Sequence, residues 1–433
     1  SRFSFVGGRT ILSDIKRSDL RMPCLGDKAD KISDNHSYGT VKMTAAVAAE
    51  KFLNLLLDET RSRVRSCEHV GLLLSGGMDS RVVAAVLKEL QQSGESFRVT
   101  CFTWGKEQSR DVVYANRIAR AYGWNLEYFE ISAETLLANL TEAARNGCFY
   151  SALHLHAMPA VASKAKALGV DVMMAGSYGD SIGRAEYSGR HVSALKPIDS
   201  RLRNWYGLFD ARFFKQSRRL TLDEIHRCRL SFNDSGNLNV SEVDHQIHYM
   251  RNMLGTAMAV INDSVPLAQA FTSWPVVKFI WSLTDECRTD EIYRHVLLEL
   301  DPDLLKVPWA RTGRPYMRRD VSPDEFSRSF HDYGSWARMN LEPIQEMISE
   351  GDLDALGPFN AAGLNAVRNT FTRFPFIRSG RLLEIVLWLS SLAILVKKLD
   401  LKSAIAVDRC SLNPINRLEL YGTAYKQFRI NSN

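Results

Sequence analysis

"HVGLLLSGGMDSRVVAAVL", residues 69–87, decides how the chain is read. The apolar run 70–74 has the length of a buried strand. "SRVVAAVLKELQQSG", 80–94, has apolar residues at helical spacing and closes on Gly94. Between them stand Ser75, Gly76, Gly77, Met78, Asp79 and Ser80. Two glycines let a backbone approach an anion with no Cβ in the way. Successive N–H groups in such a turn form a nest, and the N-terminus of the next helix adds about half a positive charge. Ser75 and Ser80 add hydroxyl donors, so the stretch reads as a phosphate cradle. Asp79 would repel a bare phosphate; it makes sense as a ligand for Mg²⁺, which neutralises the phosphates. The GxxxxGK[ST] spacing of a Walker loop is absent. The plainer reading is a glycine turn with an Asp or Ser cap.

Working outward, strand and helix patterns alternate. A long amphipathic helix, 44–65, precedes the opening strand. After it come "RVTCFTW" (98–104) as strand, "SRDVVYANRIARAYG" (109–123) as helix and "LEYFEIS" (126–132) as strand. Helical patterns then run to about 168, and "VDVMMAG" (170–176) is a further strand. Such alternation implies an α/β fold with a doubly wound parallel sheet. Ligands of these sheets sit beyond the carboxyl ends of the strands, so "SGGMDS", "TWGKE" and "GSYGDSIG" are expected to face one crevice. Beyond about 190 the strand signal fades, and a mostly helical lobe is expected. The expected division is an N-terminal extension over 1–40, an ATP-binding α/β domain over 41–190 and a helical lobe over 191–433.

The totals exclude little. The chain has 433 residues, 45% hydrophobic and 24% charged, which is ordinary for a globular protein. A net charge of +6 suits an anionic small ligand as well as nucleic acid, and by itself decides nothing. Cys24, Cys67, Cys101, Cys148, Cys228, Cys287 and Cys410 form no CxxC pair. They read as free thiols of a reducing compartment, so a cytoplasmic location is expected. The longest apolar stretch, Leu382 to Val396, is short for a membrane span and contains Glu384; a buried helix is expected there.

"LLLSGGMDS" resembles the SGGxDS pyrophosphate loop of the PP-loop ATP pyrophosphatases, whose fold is adenine nucleotide alpha hydrolase-like. Three further stretches resemble the asparagine synthetase branch, in the same order and spacing: "FTWGKEQSRDVVYANRIARAYGWNLEYFEI", "PAVASKAKALGVDVMMAGSYGDSIG" and "MLGTAMAVINDSVPLAQAFTSWPVVKFIWSL". The resemblance covers about 41 to 310. It implies ATP and Mg²⁺, cleavage between the α- and β-phosphates, an adenylated carboxylate and an amide product. It also implies that Ser75, Gly76, Gly77, Asp79 and Ser80 hold the pyrophosphate side. Gly176 and Asp180 match the family's glycine and acidic residue in "GeGaDE", with Asp180 a second Mg²⁺ ligand. Leu74 and Thr103 fall where the family holds adenosine.

The departures fall on the acceptor side. The family's glutamate base falls at Ser177, and the second acid of "DE" at Ser181. Tyr178 stands one residue from the place where β-lactam synthetases carry a tyrosine, which makes it a catalytic candidate. The arginine of "E.RvP" falls at Ser264. Either Arg311 or Arg314 of "VPWARTGRPY" replaces the family's lysine on the pyrophosphate side. His154 and His156 are expected to be packing or surface residues rather than bases.

"FVGGRTILSDIKRSDL" (5–20) resembles the linker that leaves the family's N-terminal glutaminase domain, and the chain is expected to lack that domain. The chain is then the synthetase part of a longer ancestor, or a cut piece. The expected function is an ATP-dependent amide-forming ligase acting on a small-molecule or peptide carboxylate. Its nitrogen comes from free ammonia, a separate glutaminase or an amine of the substrate itself. The last is the way of an intramolecular cyclase of the β-lactam synthetase or lasso-peptide type. The same loop would also serve a tRNA-modifying enzyme, with the basic stretches 61–65 and 314–319 on the RNA phosphates, or persist in a non-catalytic scaffold. Nucleic acid is not the expected partner, and no membrane span is expected.

Overall fold

Five short segments form one sheet of parallel strands in the order β3-β2-β1-β4-β5. β1 is His69–Leu73, β2 Arg98–Gly105, β3 Asn125–Glu130, β4 Val172–Ala175 and β5 Leu267–Gln269. The computed structural model describes residues 38–148, 150–182, 198–230, 240–316, 318–377, 380–401 and 414–432. The first four strands lie where the alternation places them, with ends shifted by a residue or two. From β1 the chain moves outward to β2 and β3, then returns across the sheet to β4 on the other side of β1. The order therefore reverses between β1 and β4, which is where an open α/β sheet leaves a crevice.

Alternation along the central strands divides the core in two. Val70, Leu72, Val99, Cys101, Val172 and Met174 face one cluster. It is completed by α1 (Ala45–Val64), α2 (Met78–Gln92) and α3 (Arg110–Tyr122). Leu73, Phe102, Met173 and Ala175 face the other, which is completed by α4 (Ala133–Arg145) and α5 (Met158–Ala167). Both faces of the sheet are covered, and the burial of every residue of β1 and β4 follows from that. Local chemistry sets the helix ends: Thr44 caps α1 through the Val47 N–H, and Gly123 ends α3 at φ 70°.

Beyond residue 190 the chain is mostly helical, with one correction. β5 adds a strand to the sheet beside β4, so the layer expected to end with β4 extends to residue 269. Three residues behind Pro266 are too few to show a strand period. Within the expected helical lobe, a π-helix, His245–Leu254, runs into an α-helix, Gly255–Asn262. Leu382 to Val396 lies in the helix Arg381–Leu399, most of whose apolar residues are buried in the second core. Among the described residues no helix is long and apolar enough to cross a membrane. Cys101 is a core thiol and the described cysteines are free. The stretch 5–20, Cys24 and Cys410 lie outside the described residues.

The helical part is pinned to the rest by a buried ion pair. Arg288 and Glu242 are each 1% exposed and bonded to one another, and Tyr38 donates its hydroxyl to the same carboxylate. This pair holds the helix Val240–Asp244, the lead into the π-helix, against the entry to α1 and the loop before the helix Glu291–Leu300. Burial pushes the Glu242 carboxyl up, and the Arg288 guanidinium opposes that. Glu242→Gln leaves a buried guanidinium without its counter-charge and is expected to cost about 3–5 kcal/mol of unfolding free energy in urea titrations. Asp303→Asn, which breaks the exposed pair with Lys306, is expected to leave the urea midpoint unchanged.

Candidate nucleotide site

β1 delivers its carboxyl end directly into the glycine turn. Gly77 is the N-cap of α2 and offers no side-chain cap, so the first-turn N–H groups of a 15-residue helix face the turn without one. The turn is braced from within. The Ser75 N–H donates to Ser80 Oγ at 3.2 Å, Ser80 Oγ donates to the Ser75 carbonyl at 3.2 Å, and the Gly77 N–H donates to Ser75 Oγ at 3.1 Å. A Cβ on Gly76 would stand 2.9 Å from Ala310 Cβ, from the Arg110 carbonyl and from Tyr114 Cδ2. Gly76 is thus required by close packing from outside the turn.

The turn after β4 lies against the same place. A Cβ on Gly176 would come 2.5 Å from the Ser80 amide nitrogen, and one on Gly179 would come 2.6 Å from Asp79 Oδ1. The backbone leading into Asp180 therefore passes the Asp79 carboxylate at contact distance. The Gly179 N–H donates to the Gly176 carbonyl at 3.2 Å, closing the turn. The Tyr293 hydroxyl, from the helix Glu291–Leu300, donates to the Gly179 carbonyl at 3.1 Å from a fully buried position. Leu74 and Thr103 are buried side by side at the ends of β1 and β2, where the Leu74 N–H donates to the Phe102 carbonyl at 2.9 Å.

Of the expected residues, Ser75, Gly76, Gly77, Asp79, Ser80, Gly176 and Asp180 come together at the switch point, with Leu74 and Thr103 at its side. Arg311 joins them through its neighbour, because the Ala310 N–H donates to the Gly76 carbonyl at 3.1 Å. Arg311 is exposed, its guanidinium 5.5 Å from the centre of the Trp309 ring. Arg314 closes the same small hairpin, its carbonyl accepting the Trp309 N–H at 2.7 Å.

Tyr178 has a different place from the one its candidacy requires. It is 6% exposed, has φ 71°, and sends its hydroxyl into the core, where it donates to the Met250 carbonyl at 3.3 Å. Its ring packs with the α2 side of the core, and burial pushes its hydroxyl pKa well up. A phenol so placed is a packing group. Ser177 Oγ lies 3.8 Å from Met258 Sδ, a weak acceptor, where the family's base would stand. His156 packs between Trp104 and Tyr333, with Nδ1 2.7 Å from the Tyr333 hydroxyl. Desolvation and the neighbouring His154 and His331 push it down to about 3, so it remains neutral.

Sequence reasoning passed over Asp111. Its carboxylate accepts the Gly76 N–H, and desolvation pushes it up to about 6 against that bond. Asp111 opens α3 and its type is common there, so only the fold reveals what it touches. Between about pH 4 and 6 the folded chain holds a proton that the unfolded chain has released, so stability falls as pH rises through that window. Asp111→Asn is therefore expected to exceed the wild type by about 1–3 kcal/mol in urea titrations at pH 7.5, and to lose that advantage at pH 4.5.

Comparison with known proteins bears on the family of the chain. The model of the asparagine synthase family matches residues 51–298, more than half of the chain. Curated relatives include the asparagine synthetase [glutamine-hydrolyzing] of Cricetulus griseus, 32% identical over 107 residues, 24% of this chain and 18% of that protein. The human asparagine synthetase [glutamine-hydrolyzing] is 29% identical over 114 residues, 26% of this chain and 19% of that protein. The aligned segment thus spans less than a fifth of the length of either relative. Among solved structures, the U34-tRNA thiolase NcsA of Methanococcus maripaludis is 14% identical, covers 50% of this chain and 79% of that one, and superposes with a TM-score of only 0.24. Both the site's first loop and the strand carrying its second lie within the matched residues, and the chain belongs to the asparagine synthase family.

Proposed function

We propose that the chain is an ATP-dependent carbon–nitrogen ligase that adenylates a carboxylate, releases pyrophosphate and passes the acyl group to a nitrogen nucleophile. The observation that carries this reading is the packing of two carboxylate-bearing turns on one helix N-terminus at the switch point of the sheet. An ATP molecule laid there has its adenosine beside the strand ends at Leu74 and Thr103. Its β- and γ-phosphates lie over the Gly77–Ser80 turn.

The donor set suits Mg²⁺. Among the described residues no group of three or more His, Cys, Asp and Glu forms a metal cage of its own. Mg²⁺ asks for no such cage, because it takes one or two carboxylates and leaves the remaining positions to phosphates and water. Asp79 and Asp180 would hold it, and the bound ion would neutralise charge on the leaving pyrophosphate. The chain's own residues do the rest. N–H groups at the start of α2 receive the pyrophosphate, Ser75 and Ser80 fix the turn, and Arg311 brings a further positive charge to the departing group. Tyr178 positions the turn that carries Asp180.

On the acceptor side the family's glutamate base is replaced by Ser177, beside Met258, so asparagine formation from aspartate is not the reaction proposed. The carboxylate is that of a small molecule or peptide. The nitrogen is that of ammonia, of a partner glutaminase's product or of the substrate's own amine.

Carboxylate-dependent exchange of labelled pyrophosphate into ATP tests the reading. A panel of amino acids, peptides and tRNA is offered to the whole chain, and exchange is expected with a carboxylate and not with tRNA. Exchange with tRNA alone would replace the ligase reading with that of a tRNA-modifying enzyme. Asp79→Ala and Asp180→Asn are each expected to lower the rate on the order of 100-fold or more, and Arg311→Ala about 10- to 100-fold. Chelation is expected to abolish exchange and added Mg²⁺ to restore it. An Asp79→Ala protein with the wild-type rate would refute the metal role.

A further inference from the structure

The residue that follows the SGGMDS turn is Arg81, and it is fully buried. Its Nη1 donates to the carbonyls of Leu304 and Val307, both at 2.8 Å. Its Nη2 donates to the Pro308 carbonyl at 2.9 Å and to the Gly76 carbonyl at 3.2 Å. One guanidinium thus gathers three carbonyls of the segment 304–308 and one of the pyrophosphate loop. Among the described residues no carboxylate pairs with it. Desolvation brings it down to about 10, so it stays charged at neutral pH.

A buried cation without an acidic partner is unfavourable unless strong dipoles meet its donors. Main-chain carbonyls meet both terminal nitrogens here, while the Nε–H has no partner. The planar fork of a guanidinium reaches several carbonyls at once, which an ammonium does not. The carbonyls gain as well, because an irregular segment leaves them with no helix or sheet partner. The segment then continues to Ala310, whose N–H meets the same Gly76 carbonyl at 3.1 Å, and to the exposed Arg311. The Gly76 carbonyl is therefore shared by a buried cation from α2 and by the backbone that precedes Arg311.

We propose that Arg81 is a positioning residue that ties the segment 304–311 to the pyrophosphate loop. The tie holds Arg311 over the site and carries the loop's response to pyrophosphate into that segment. This rests on reading 75–80 as the pyrophosphate loop. The test separates the two by following hydrogen exchange without ligand and with Mg²⁺ and pyrophosphate, in wild type, Arg81→Lys and Arg81→Met. Without ligand, amides of 304–311 are expected to exchange about tenfold faster in Arg81→Met, with Arg81→Lys between, while β3 and α4 keep the wild-type rate. With pyrophosphate, the wild type is expected to slow at both 75–80 and 309–311, and Arg81→Met at 75–80 alone.

Unchanged ligand-free exchange at 304–311 in folded Arg81→Met overturns the tie. So does pyrophosphate protection of 309–311 that persists in that variant. If Arg81→Met fails to fold, shown by fast exchange in β3 and α4, Arg81→Lys and the wild type decide. Wild-type protection confined to 75–80 overturns the proposal, and so does Arg81→Lys matching the wild type at 304–311. Pyrophosphate that slows neither segment refutes the pyrophosphate-loop reading instead, and ligand-free exchange still decides the tie.

Discussion

A Cβ on Gly176 would stand 2.5 Å from the amide nitrogen of Ser80, so the turn after β4 rests on the first turn of α2 only because no side chain separates them. That contact lies where the strand order reverses, between β1 and β4. It brings two carboxylates, a hundred residues apart in the chain, to one helix N-terminus. On the function proposed, a divalent cation and the pyrophosphate would neutralise one another between these two turns. The sheet supplies the rigidity that the contact demands, with β1 and β4 buried on both faces.

Around this contact the outer elements act as braces. Tyr293 supports the second turn from below through the Gly179 carbonyl, and Tyr178 anchors it sideways to the Met250 carbonyl in the π-helix. The Met250 carbonyl also accepts the Gly255 N–H, so the wide helical turn and the tyrosine share one acceptor. The π-helix is in turn led in by a helix held by Arg288 and Glu242. The helical part therefore positions the second turn as well as covering the sheet.

Local patterns made most of the sheet readable. β1 to β4 and their helices announce themselves through period, length and glycine stops, and "SGGMDS" combines a backbone requirement with donors and a carboxylate in one short run. What escaped depends on contacts with no local signature. β5 is three residues long, and the π-helix has the composition of an α-helix. Asp111 is an ordinary acidic residue in a first helical turn until the fold sets it under the Gly76 N–H. Arg81 interrupts an apolar helical face in the sequence, yet the acceptors Leu304, Val307 and Pro308 are more than two hundred residues away. Tyr178 carried a chemical expectation because of its neighbours in sequence, but a left-handed φ of 71° turns its side chain into the core.

That last reversal bears on the acceptor half of the reaction. With Tyr178 engaged inside and Ser177 facing Met258, the turn presents no strong base at the point where the resemblance placed one. His156 does not supply it from the other side, because its Nδ1 meets Tyr333 and its ring is stacked on Trp104. An incoming nitrogen that arrives as a free amine needs less help than one that must first lose a proton. On the ligase reading proposed, leaving-group stabilisation by the α2 N-terminus, by Mg²⁺ held at Asp79 and Asp180 and by Arg311 would be the main source of rate. The acceptor side would then be left to whichever amine the adenylated carboxylate meets.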